Sequence, residues 1–246
     1  MKFKNKTALV TGSSRGIGRA TAIAFGQEGA RVVVNYVKDK GSADSVVEEI
    51  KRIGGDAFAV QADVSVEEDV QRMIEESVKH FGAIDILVNN AGIVFGVPIL
   101  EKTVEQWERT LRVNLIGTFL CIKYALPHMK GRVGAAIVNI SSTNGIDSLS
   151  PESADYDTSK AGVISLTKNF AQTLAPEIRV NSVAPGWVDT EINKDLSKEF
   201  IKSETDKIAL GRWGRPEEIA KTVLFLCSED ASFIAGSTFV VDGGYL

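Results

Sequence analysis

A tyrosine and a lysine stand four residues apart in the stretch DYDTSKAG, Asp155 to Gly162. On a helix the i and i+4 side chains share a face, so this spacing brings a phenol beside an ammonium. A phenol with an ordinary pKa of about 10 is a poor acid at pH 7, and a nearby positive charge that favours the phenolate lowers it. The pair suits a reaction in which an oxygen gains a proton as its charge develops, where general-acid help is worth about 10²- to 10⁴-fold. Taken alone, Tyr156 and Lys160 read as a packing tyrosine beside a solvated lysine. The rest of the chain has to supply the reacting group.

A second stretch supplies a place for one. TGSSRGIG, Thr11 to Gly18, follows a short apolar run and opens the helical pattern RATAIAFGQEG. Glycines there let the backbone turn tightly, approach a pyrophosphate and pack the helix on a sheet, while the helix N-terminus offers free N–H groups and a favourable dipole. The spacing of Gly12, Gly16 and Gly18 is wider after the first glycine than in the common dinucleotide pattern. A plain strand-to-helix turn is the bland reading; the placement between a strand and a helix favours a dinucleotide site.

The elements that must position these residues are legible along the whole chain. Seven short runs at 7–11, 31–36, 57–63, 85–90, 135–141, 178–185 and 237–243 are nearly continuously apolar, as strands covered on both faces are. Between the second and third, Ala43, Val46, Val47, Ile50 and Ile53 recur at helical spacing, and similar stripes fill the other gaps. Repeated strand–helix–strand units with right-handed crossovers give a doubly wound, seven-stranded parallel sheet with helices on both faces. All six prolines fall at predicted junctions or helix ends, and neither a linker nor a repeat interrupts the pattern, so residues 1–246 read as one domain. A net charge of −4 without a basic block gives no reason to expect a nucleic acid or membrane surface as partner. Cys121 and Cys227 read as buried free thiols of a reducing compartment, and the N-terminus as a first strand rather than a signal peptide, which makes the cytoplasm the expected location. His80 and His128 fall near predicted helix C-termini, and without a Cys/His cluster no metal site is expected.

TGSSRGIG (11–18), DV (63–64), NNAG (89–92), VN (113–114), NISS (139–142), YDTSK (156–160) and VAPGWVDT (183–190) together resemble the short-chain dehydrogenase/reductase family, in the family's order across nearly the whole chain. The resemblance implies a Rossmann-type domain that uses NAD(P)(H) to interconvert an alcohol and a carbonyl. It implies Tyr156 as general acid and base, Lys160 as its partner and a holder of the nicotinamide ribose, and Asn114 as support for a water-mediated proton relay to that lysine. Ser142 is implied to orient the carbonyl oxygen, with Ser141 and Thr143 as the neighbouring hydroxyls in the same stretch. Cofactor contacts are implied at Gly12, Ser14, Arg15, Gly16, Ile17 and Gly18, at Asp63 and Val64 beside adenine, and at Asn90, Ala91 and Gly92 on the adenosine side. Pro185, Gly186, Val188 and Thr190 are implied to flank the carboxamide of the nicotinamide.

Charge near the adenosine ribose selects between the two cofactors. NAD-selective sites usually end the second strand in an acid; here that position is Tyr36, preceded by Asn35, with Arg15 and Lys38 able to reach the same spot. NADP is therefore the expected cofactor and NAD the second choice, with Asp39 the one residue placed to restore NAD binding. The resemblance points to 3-oxoacyl thioester reductases and to glucose dehydrogenase-type enzymes, and Pro176 and the acidic stretch TNGIDSLSPESAD fit an acidic acyl carrier poorly. Phe95, Ile146, Leu149, Trp187 and Ile192 are candidates for a mainly apolar pocket. A non-catalytic dinucleotide sensor on the same fold is the rival; it predicts damage among Asn114, Ser142, Tyr156 and Lys160, all of which are present. Relatives are usually homotetramers, and both long helices carry more apolar positions than one buried face needs.

Overall fold

The structure, a computed structural model, describes residues 1–147 and 151–245. Seven strands form one parallel sheet: β1 Thr7–Val10, β2 Arg31–Tyr36, β3 Asp56–Gln61, β4 Ile86–Asn89, β5 Ala135–Ile140, β6 Ile178–Pro185 and β7 Thr238–Val241, in the order β3-β2-β1-β4-β5-β6-β7. The order reverses between β1 and β4, where Ala8 pairs with Ile86 and Val10 with Val88. In open sheets of this kind ligands sit at that switch point, beyond the carboxyl ends of the strands.

Helices cover both faces because the strands alternate their buried side chains between two cores. On one face α1 (Gly16–Gln27), α2 (Lys40–Arg52) and α8 (Pro216–Cys227) pack Phe25, Ile50 and Val223 against Val10, Val34 and Val138. On the other, α3 (Glu67–Phe81), α5 (Gly117–Met129) and α6 (Ala154–Leu174) pack Met73, Ile122 and Ala171 against Leu9, Leu87 and Ile137. A short helix α4 (Val104–Leu111) leads into α5 through a π-helical turn, Arg112–Ile116, and α7 (Lys198–Thr205) lies between β6 and α8. Pro127 sits inside α5, in its last turn. His80 and His128 fall in the last turns of α3 and α5, and His80 stacks on Phe58 at 4.3 Å. Among the described residues no helix is long and apolar enough to cross a membrane, and no group of His, Cys, Asp or Glu is arranged to hold a metal.

Candidate active site

The glycine loop rests on neighbours that fix its shape. Gly12 has φ +60° and Gly16 φ +56°, in the region side chains avoid, and a Cβ on Gly12 would lie 2.9 Å from Ala91 Cα. Asn35, fully buried at the end of β2, accepts the Gly12 N–H at 2.9 Å and donates to Ala62 O at 3.0 Å. Asn90 donates to Thr11 O at 2.8 Å and Gly12 O at 3.0 Å, while Thr11 Oγ1 accepts from the Asn90 and Ala91 N–H groups. The Asn90 side chain thus braces the loop. Downstream, α1 starts without a side-chain cap and without an acidic residue in its first turn. Uncapped N–H groups in a tight glycine cradle suit a pyrophosphate, so the loop fits a dinucleotide. Ser14 is half-buried, Arg15 exposed, and Ile17 packs against the core below.

At the carboxyl end of β2, Tyr36 closes the strand and is buried, while Lys38 is exposed beyond it. Asp39 is committed elsewhere: its carboxylate caps α2, accepting from Ser42 N at 2.9 Å and Ser42 Oγ at 2.6 Å. Those bonds, helped by the charge of Arg15, hold its carboxyl below the usual range. Asp63 is likewise occupied, accepting from Ser65 N at 2.9 Å, Ser65 Oγ at 2.6 Å and Arg109 Nη2 at 2.7 Å. Burial alone would raise its pKa, but these donors outweigh it and hold the carboxyl down. Val64 is buried beside it, against Gly117 at the start of α5.

The chemical group gathers beyond β4 and β5. Tyr156 and Lys160 lie on one face of α6, with the Lys160 ammonium 5.5 Å from the tyrosine ring centre. The expectation that the lysine pulls the phenol's pKa down is corrected here. Burial raises the Tyr156 pKa; the Ser142 hydroxyl works against that, and the Asp157 carboxylate adds to it. Lys160 Nζ donates instead to Ile140 O at 2.8 Å, and burial lowers its pKa to about 8. Desolvation penalises the charged form of each group and is the largest influence on both.

Three adjacent hydroxyls follow β5 and are turned three ways. Ser141 Oγ donates to Lys160 O at 2.8 Å, inside α6; Thr143 Oγ1 points to Pro185 O at 3.4 Å; Ser142 faces the phenol. Ser142 also accepts the Asn144 N–H at 3.2 Å, starting the turn Thr143–Gly145. Asn114 sits in the π-helical turn and is buried; it accepts from Ile93 N at 2.8 Å and donates to Ile93 O at 2.9 Å and Ser159 Oγ at 3.0 Å. Both N–H donors of its carboxamide are used and its oxygen accepts one bond, and π-turns are frequent at functional sites. Gly92 lies between Asn114 and Lys160: a Cβ there would be 3.4 Å from Asn114 Oδ1 and 3.5 Å from Lys160 Nζ.

The stretch after β6 forms the remaining wall. A Cβ on Gly186 would come 2.7 Å from Asp242 Cβ, so only glycine lets Pro185–Gly186 pass under the end of β7. Val188 is buried and bridges to Gly214, and Thr190 stands next to Gly16. Trp187 stacks on Trp213 at 5.1 Å and meets Phe200 of α7 edge-on at 5.5 Å. Of the other apolar pocket candidates, Phe95 is half-buried and Ile146 exposed, while Leu149 and the side chain of Ile192 lie outside the described residues.

Sequence reasoning misses four side chains around this site. Glu204 of α7 accepts from Trp187 Nε1 at 3.0 Å, Tyr245 OH at 2.5 Å and Lys207 Nζ at 2.6 Å, tying that helix to the β6 loop and to the chain's C-terminal segment. Asp157 accepts from Asn144 Nδ2 at 2.8 Å and Ser153 Oγ at 2.9 Å, linking α6 to the turn that carries Ser142. Lys102 and Asp155 form a buried ion pair at 2.5 Å. The two acids flanking Tyr156 in DYDTSK are a readable signal; Trp187 and Tyr245 as partners of Glu204, and Lys102 and Thr110 as partners of Asp155, lie 17 to 53 residues away and are not.

Comparison with known proteins agrees with this architecture. A family profile described as "Enoyl-(Acyl carrier protein) reductase" matches residues 12–246. The chain is 45% identical over 240 residues to the 3-oxoacyl-[acyl-carrier-protein] reductase FabG of Staphylococcus aureus, covering 97% of each chain. It is 44% identical over 244 residues to glucose 1-dehydrogenase 2 of Bacillus subtilis, covering 97% of this chain and 94% of that one. Among solved structures, a short-chain dehydrogenase/reductase from Serratia marcescens superposes with a TM-score of 0.95 at 37% identity over 99% of both chains. A dehydrogenase/reductase from Sinorhizobium meliloti superposes with a TM-score of 0.94 at 38% identity, covering 98% of this chain and 95% of that one. With a Rossmann-like sheet, a glycine cradle at its switch point and relatives of this identity over nearly its full length, the chain belongs to the short-chain dehydrogenase/reductase family and is an oxidoreductase.

Proposed function

We propose that this enzyme interconverts a ketone and a secondary alcohol with Tyr156 as the proton donor and acceptor. A bound nicotinamide supplies or accepts the hydride. The Ser142 hydroxyl holds the substrate oxygen against the phenol, and the phenol hands over its proton as negative charge develops on that oxygen. Lys160, with a pKa near 8, exchanges protons close to working pH and replenishes the phenol. The observation that carries this reading is the convergence of Ser142, Tyr156 and Lys160 beyond β5, with Gly92 of the loop after β4 beside the lysine. Tyr156→Phe is expected to lower turnover by about 10²-fold or more with the fold intact. Near-native turnover in that variant removes the tyrosine from its role.

The family profile carries an enoyl reductase description, but the four-residue gap from Tyr156 to Lys160 is narrower than the one enoyl reductases of the superfamily use, and favours a carbonyl substrate. The substrate class we assign is a 3-oxoacyl thioester. A sugar or small ketone is the second reading, supported by Pro176 and by a segment after β5 that exposes Asp147 and Glu152 and carries no basic residue. Acetoacetyl thioesters, sugars and ketones compared by nicotinamide absorbance decide between them.

NADP(H) is the cofactor we assign, with NAD(H) second. No acid ends β2, Asp39 is held in its capping bonds, and Arg15 and Lys38 stand exposed at the rim. One charge-assisted bond to a 2′-phosphate is worth about 1.5–3 kcal/mol, or roughly tenfold and more in preference. Equal catalytic efficiencies with the two cofactors in wild type, or a preference untouched by Arg15→Ala, contradict this assignment. We also propose that residues 1–246 act as one domain, in a cytoplasmic homotetramer.

A further inference from the structure

We infer that the buried Lys102–Asp155 pair is a positioning device for Tyr156 and for the two backbone segments that it ties together beside it. The inference rests on Tyr156 being the proton donor. Both side chains are almost completely enclosed, at 1% and 0% exposure. Lys102 Nζ uses its three donors on Asp155 Oδ1 at 2.5 Å, Phe95 O at 2.7 Å and Glu152 O at 2.9 Å. Asp155 Oδ2 accepts from Thr110 Oγ1 of α4 at 2.6 Å, and the carboxylate also draws on the Tyr156 backbone N–H. One ammonium therefore fixes the strip leading from β4 to α4, the strip leading into α6, and the residue next to the phenol. Val97 N, bonded to Glu152 O at 3.2 Å, joins the same two strips.

Stability does not account for this arrangement. Taking a full ammonium and a full carboxylate out of water is costly, and an apolar pair of similar volume often serves a fold as well or better. An apolar pair cannot grip two carbonyls and an N–H. What the ion pair adds is direction: it sets where α6 begins relative to the strip carrying Phe95, and so where the phenol stands relative to a carbonyl bound between them. Misplacement of a reacting group by about 1 Å costs up to about 10²-fold in rate.

The test is a double variant, Lys102→Met with Asp155→Leu, which removes both charges together. The expected result is a melting temperature within about 5 °C of wild type, unchanged affinity for the nicotinamide cofactor, and kcat lowered about tenfold or more. In a Tyr156→Phe background the same double change is expected to add little further loss, because its effect runs through the phenol. Wild-type kcat in the double variant, or a full additional loss on top of Tyr156→Phe, overturns the inference. If the double variant does not fold, Thr110→Val removes one donor to the same carboxylate at nearly constant volume; a kcat fall of about threefold is then expected, and an unchanged kcat overturns it. Near-native turnover in Tyr156→Phe alone defeats the proton-donor reading instead, which keeps the two failures distinct.

Discussion

Lys160 is enclosed by Ile140, Tyr156 and the backbone near Gly92, and the cost of that enclosure falls on its ammonium. Its pKa drops from 10.5 to about 8 in the folded chain. Between those values the unfolded chain binds the proton more tightly than the native one, so native stability rises with pH across that window and carries the full penalty below pH 8. The penalty is on the order of 3 kcal/mol. Tyr156 acts in the opposite sense: its pKa is raised, so above pH 10 the unfolded phenol ionises first and stability is lost. Urea midpoints of wild type and Lys160→Met from pH 7 to 10 should therefore converge or cross as pH rises; a constant difference would show that the lysine is not neutralised by burial. The two thiols give a simpler expectation. Cys121 and Cys227 are buried and pushed up to about 12 by desolvation, so a thiol reagent at pH 8 should label neither in the native enzyme and both after unfolding. Prompt labelling of either in the native state would contradict their enclosure.

Among the elements, α1 is the one whose seat is least forgiving. A Cβ on Gly18 would lie 2.5 Å from both Asn90 Nδ2 and Gly12 O, and 2.9 Å from Ser13 Cα. Two of those three atoms are backbone, so they cannot swing aside. Gly18→Ala is expected to cost about 1–3 kcal/mol and to weaken nicotinamide binding, measured by thermal melting and cofactor titration; wild-type values for both would mean the loop is looser than these contacts require. The inner strands are legible in the sequence because both their faces are covered, which leaves unbroken apolar runs such as RVVVNY and AAIVNI, whereas the edge strands β3 and β7 are only partly buried. The glycine loop and the tyrosine–lysine pair are legible because each is local. The π-turn around Asn114 is not, and neither is the bond from Ile93, 21 residues away, that its carboxamide accepts. Nor is the sign of the Tyr156 shift, because spacing reports that two side chains share a face and says nothing of how much water surrounds them.

At the scale of the molecule, apolar surface remains uncovered. Phe233 is fully exposed, and Val240 of β7, Phe225 of α8 and Phe119 of α5 are well exposed. Patches on the last strand and on α5 fit the assembly proposed above. Light scattering across a hundredfold range of concentration should give a tetramer's mass, and a monomer throughout would leave these patches without an explanation. The reversal of strand order has a consequence for how such an enzyme can change. On the cofactor assignment proposed above, the residues that would choose between the two nucleotides, Arg15, Tyr36 and Lys38, lie on the chain before β4, whereas Asn114, Ser142, Tyr156 and Lys160 all come after it. Across the junction between β1 and β4, Asn90 and Ala91 supply the bonds that brace the glycine loop. On that reading, nucleotide choice and the proposed proton-transfer group are written on separate lengths of polypeptide. A chimera that joins the first length from a relative of opposite nucleotide preference to the second length of this chain should inherit the donor's coenzyme while keeping its own alcohol, and a lineage can trade either half by a single crossover.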